Sequence, residues 1–138
     1  MRVENWDTKL SNYIAEQDKK KFVRGKTDCV NFVIGAIEVI IGKKVFDKPY
    51  KSIKEAKKIL QKFKKKDLLE IAKDIAKENN FKEIHTNFAR RGDVVFLETD
   101  EELGGTMGIC QGEQSVFKFK AGQDLVPTHK CNIAWRIE

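Results

Sequence analysis

Residues 27–42 read "TDCVNFVIGAIEVIIG". Of the twelve residues from Val30 to Ile41, nine are apolar, and they favour no single side. A helix at a protein surface carries an apolar stripe. A helix that is apolar nearly all round must be buried nearly all round. A buried strand is the competing reading, but the run is long for a strand, and Gly42 stands where a helix C-cap belongs. The segment therefore reads as the central helix of the fold. Thr27 or Asp28 supplies its N-cap, which puts Cys29 in the first turn. There the unsatisfied backbone N–H groups and the positive end of the helix dipole favour a thiolate over a thiol. The same amides suit part of an oxyanion hole. The alternative is that Cys29 is a small residue packing a helix start. On the residues alone both readings stand.

Upstream, Trp6, Leu10, Tyr13 and Ile14 recur at the spacing of a short amphipathic helix, which "EQDKKK" ends in solvent. Downstream, "SIKE" at 52–55 is a capping box opening a helix with Ala56, Ile59, Leu60 and Phe63 on one face. "DLLE" at 67–70 repeats the device, with Leu68, Ile71, Ala72 and Ile75 behind it and Asn79-Asn80 as the stop. After residue 80 the period changes. "FKEIHT", "GDVVFLE", "TMGIC", "SVFKF" and "NIAWRIE" are short, β-branched and aromatic segments punctuated by Gly, Asp, Asn and Pro. Helices followed by about five short strands predict one α+β domain over residues 1–138, with the buried central helix against an antiparallel sheet.

Bulk properties agree with this. A length of 138 residues, 41% apolar with nine Phe, suits one domain with a real core. No segment reaches the roughly 18 uninterrupted apolar residues of a membrane span, and the N-terminus shows no secretory signal. Cys29, Cys110 and Cys131 lack metal-ligand spacing and are odd in number, so neither a zinc site nor a disulfide framework is expected. No cofactor is expected either. The net charge of +6 is carried mainly by Lys, which makes a solvated surface the plain explanation. Arg, the usual reader of phosphates and bases, is sparse, and nucleic acid is not an expected partner.

Three motifs in order carry a resemblance. Asp28-Cys29 opens the buried helix; Gly92-Asp93-Val94-Val95-Phe96 forms a strand; Met107, Gly108, Ile109 and Gly112 lie in the next one. The arrangement resembles the NlpC-type cell-wall peptidases of the papain-like fold. Over nearly its whole length the chain is also similar to a family of tailed-phage and prophage proteins. The shared features are Trp6 and Leu10 ahead of Phe22 and Gly25-x-x-Asp28-Cys29, then "PYKSIKEA", "ARRGDVVF", "MGICQG" and "AWRI". The resemblance implies a papain-like fold, a cysteine hydrolase chemistry with Cys29 as nucleophile, and Asp28 and Gly108 at the binding site. Its implied partners are phage tail proteins or cell-wall peptide. The implied setting is the bacterial cytoplasm during synthesis, with a place in the virion.

The pattern departs from that family where the catalytic His belongs, because the chain has Thr106 there. A threonine hydroxyl can hydrogen-bond but cannot serve as general base to a thiol at neutral pH. His129, on a turn before the last strand, and His85, before the Gly-Asp strand, are the remaining candidates. The third triad position falls near Lys118, which is no orienting group for an imidazole. Three functions follow as expectations: a fold that has lost catalysis and serves tail assembly or cell-wall penetration, an active hydrolase of peptidoglycan peptide or amide bonds, and a phage-encoded inhibitor of a host protein or nucleic acid. The cluster "DEE" at 100–102 reads as a hydrophilic loop, and Arg90-Arg91 equally as a phosphate-binding pair or an exposed strand start.

Overall fold

The computed structural model describes residues 2–23, 27–45, 58, 68–100 and 104–138. The capping box at 52–55, Asp67 of the second one, nearly all of the helix between them and most of the "DEE" loop lie outside these residues. Among the described residues three helices precede an antiparallel sheet. They are α1 (Trp6–Asp18), α2 (Cys29–Ile41) and α3 (Leu68–Glu78). The strands are β1 (Lys82–Ile84), β2 (Val94–Glu98), β3 (Gly105–Cys110), β4 (Gln114–Phe119), β5 (Gly122–Pro127) and β6 (Ile133–Arg136). They are ordered β1-β6-β2-β3-β4-β5 in one six-stranded sheet.

The α+β class and the buried central helix are as expected. Asp28, extended at φ −92°, accepts from the Asn31 N–H and is the N-cap of α2. Gly42, at φ 75°, closes the helix with its N–H on the Glu38 carbonyl, a left-handed cap that a Cβ would strain. Thr27 does not cap. Its hydroxyl accepts from the Val23 N–H and donates to the Lys21 carbonyl.

The sheet has six strands where five were expected. The additional one is β5, "GQDLVP", which pairs along β4 from Gln114↔Pro127 to Phe119↔Gly122. Its Gly, Gln, Asp and Pro carry little strand propensity. As the outermost strand it has one neighbour, and its formation rests on the β4 ladder and not on a core face of its own.

The pleat sorts the sheet into two faces. Val94, Phe96, Met107, Ile109, Val116 and Trp135 point into a large core shared with Leu10 of α1, most of α2 and the apolar side of α3. Val95, Cys110, Phe117 and Ala134 point the other way, into a smaller cluster. That second face is covered by two single 3-10 turns, Thr86–Phe88 and Thr128–Lys130, whose flanking residues Ile84, Ala89, Val126 and Cys131 pack against it.

Candidate functional site

Cys29 occupies the first turn of α2. It is 5% exposed and belongs to the large core with Val30, Phe32 and Val33. Asp28 beside it is fully buried; one carboxylate oxygen accepts from both the Asn31 N–H and the Asn31 side-chain amide, each at 3.0 Å. The cap thereby engages one of the first-turn amides that an oxyanion would otherwise use. Tyr13 of α1 lies across the next turn. Its ring stacks on Phe32 at 5.8 Å, and its hydroxyl donates to the Phe32 carbonyl at 2.7 Å. Gly35 makes room for it, since a Cβ there would stand 2.2 Å from the Tyr13 oxygen. Burial and the nearby Glu38 carboxylate push the Tyr13 phenol well above its ordinary range.

Thr106 is 1% exposed in β3 and pairs with Leu97. Leu97 packs against the smaller cluster, whereas Met107, the next residue of β3, packs into the large core. The position that the resemblance gives to a catalytic His thus faces away from α2. Gly108 shares that parity, and a Cβ on it would meet the Val116 carbonyl at 2.7 Å and the Phe117 ring at 2.8 Å. Its place in the fold is to let Phe117 lie flat over β3.

Lys118, by contrast, faces the helices. It has the parity of Val116 and is 1% exposed, with its Nζ donating to the carbonyls of Gln17 at 2.7 Å and of Lys20. These carbonyls end α1 and its following turn, the negative pole of that helix. Burial lowers the Lys118 pKa, and Asp18 partly offsets this. The side chain ties α1 to the sheet.

The two histidines stand on the far face. His85 precedes the turn Thr86–Phe88, is exposed, and accepts the Asn87 N–H on Nδ1 at 3.1 Å. His129 lies within the second turn and is also exposed. Residues on both sides of each histidine pack on the smaller cluster, so the sheet separates them from the core that holds Cys29. The structure brings Cys29 and Asp28 together; it does not bring Thr106, His85 or His129 to that side.

Sequence reasoning missed two features. One is the role of Asp93. It is fully buried, and its carboxylate takes Arg2 at 3.1 Å, Arg136 at 2.9 Å and the N–H groups of Arg90 and Ile137 at 2.8 and 3.2 Å. It joins the N-terminal segment, β2 and the chain after β6, which accounts for a Gly-Asp pair at this strand start without any reaction. Arg2 also lies 4.1 Å over the Trp6 ring. The other is a polar groove of about 570 Å³ between the two 3-10 turns and the β3–β4 turn. Two of its lining residues are tied together, Thr128 Oγ1 donating to the Gly112 carbonyl at 2.7 Å, and behind them Thr128 Oγ1 lies 2.8 Å from the buried Ser115 Oγ and 3.7 Å from the buried Cys110 Sγ. Cys110 and Ser115 are separated by the polar stretch "QGEQ" at 111–114, and Thr128 lies further along the chain, so no local pattern marked the groove.

Arg91, expected as an exposed strand start, reaches Gln111, Ser11 and the Asp7 carbonyl and joins the β2 entry to α1. All three cysteines are buried and form no disulfide. Among the described residues no helix is long and apolar enough to cross a membrane. No curated protein matches the chain. A family model matches residues 1–137, and the chain accordingly belongs to that family, DUF6950, described as a domain of unknown function.

Proposed function

We propose that this protein is a phage-associated, papain-like domain of the NlpC type that acts by binding, in tail assembly or cell-wall penetration, and not as a hydrolase. Support for the fold lies in the order of parts: an Asp-Cys pair at the start of a buried helix, then an antiparallel sheet whose early strands carry Gly-Asp and Met-Gly-Ile. The observation that carries the loss of catalysis is the division of the would-be machinery across the sheet. Cys29 is packed among apolar side chains on one face, while Thr106 and both histidine-bearing turns belong to the other. A thiol attack on an amide needs a base within hydrogen-bond reach, about 2.6–3.2 Å, and space for the substrate carbonyl.

Mapped alkylation with iodoacetamide tests this reading. Cys29 is expected to resist modification in the native protein from about pH 6 to 9 and to react once urea exposes it. In parallel, purified peptidoglycan is expected to release no new amino groups. Rapid native alkylation at neutral pH that is lost in His85→Ala or His129→Ala, with amino-group release lost in Cys29→Ser, would overturn it in favour of a working hydrolase.

A further inference from the structure

The groove on the second face has the make-up of a ligand site, and its chemistry narrows the ligand. Its walls carry the side chains of Asn87, Glu113, Gln114 and His129, all exposed, with Ala89 and Pro127 as apolar patches. Among the described residues no lysine or arginine lines it, although the protein as a whole carries a net charge of +6. One carboxylate without a facing cation disfavours phosphates, nucleotides and acidic peptides. The volume of about 570 Å³ lies within the roughly 300–1,000 Å³ of small-molecule sites.

Part of the main chain around the groove is already engaged. The Glu113 carbonyl accepts from the Thr128 N–H, and the Gln114 carbonyl accepts from the Gln111 N–H. The Gly112 N–H donates to Cys110 Sγ at 3.4 Å, and the Gly112 carbonyl accepts from Thr128 Oγ1. An extended peptide relies on such main-chain groups for its affinity. The lining side chains add planar amides, a carboxylate and an imidazole, each offering hydrogen-bonding atoms at fixed spacing. Paired hydroxyls on a ring match them.

The geometry points to a saccharide site: the groove between the two 3-10 turns binds a short, uncharged glycan segment through Asn87, Glu113, Gln114 and His129. The site lies across the sheet from Cys29, so this inference and the alkylation test fail or succeed separately.

The test is an NMR titration of the whole protein with the tetramers of N-acetylglucosamine and of glucose. Saturable shifts are expected for the side-chain amides of Asn87 and Gln114 and for the Gly112 N–H with at least one tetramer. Asn87→Ala and Gln114→Ala, both at exposed positions, are each expected to weaken that binding about fivefold to tenfold. Three results overturn the inference: no saturable shift with either sugar up to roughly 10 mM, shifts confined to other parts of the surface, or a neutral tetrapeptide that moves these amides while both sugars leave them still.

Discussion

On one face of the sheet lie helices; on the other, two turns of three residues each. The helical side buries Leu10, Phe32, Val33, Ala36 and Ile40 against the strands, and Cys29 is sealed among them. The thinner side keeps a row of Thr, Ser and Cys hydrogen bonds and an open polar groove, and it carries both histidines. Apolar cover limits the access of water and reagents to what lies beneath it. Thin cover leaves polar side chains exposed with free hydrogen-bonding capacity. The face that carries the Asp-Cys pair holds the larger apolar core, and the opposite face carries the polar groove.

The comparison can be broken most directly through its two central phenylalanines. Phe32→Ala on the helical side is expected to cost about 4 kcal/mol in urea denaturation, because rigid helices on both sides of it cannot collapse into the gap. Phe117→Ala is expected to cost less, about 3 kcal/mol, since short turns relax more readily than helices. A larger loss at Phe117 would mean that the thin face is the more tightly packed. Asp93→Ala ranks beside Phe117. It strands Arg2, Arg136 and two N–H groups, for about 3 kcal/mol by the same measurement. An unchanged stability there would show that solvent already serves both guanidinium groups.

Alkaline pH sharpens the picture on the thin face. Burial, helped by Cys110 nearby, pushes the Cys131 thiol up to about 11. The folded pKa thus lies above the unfolded one. Its stabilising contribution is complete below the ordinary thiol range and is lost as pH rises through that range toward about 11. The parent is expected to lose about 2 kcal/mol over that window relative to Cys131→Ala, compared by denaturation at matched pH. Parallel curves would place the thiol in contact with water. The smallest effects belong to His85→Ala and His129→Ala, each expected to change stability by no more than about 0.5 kcal/mol, because both side chains are exposed. A larger loss at either would reveal a packing role.

What the sequence by itself determined was local and periodic. The all-round apolar run with Gly42 behind it specified a buried helix, and Asp28 specified where it starts, since capping depends on a few adjacent residues. The stripe of Trp6, Leu10 and Tyr13 specified α1, and the alternating segments after residue 80 specified five of the six strands. Strand β5 was not legible, because an edge strand is held by the ladder of its neighbour more than by its own residues. The tertiary structure alone decided which face each strand residue takes. Shifting a strand's register by one residue exchanges its faces, and it is the pairing of Thr106 with Leu97 that turns it away from Cys29. Only the packed chain could place Lys118 on the end of α1, gather Arg2 and Arg136 on Asp93, and set a polar groove between two turns about 40 residues apart in sequence. Each of these joins residues distant along the chain, and no local pattern encodes such a meeting.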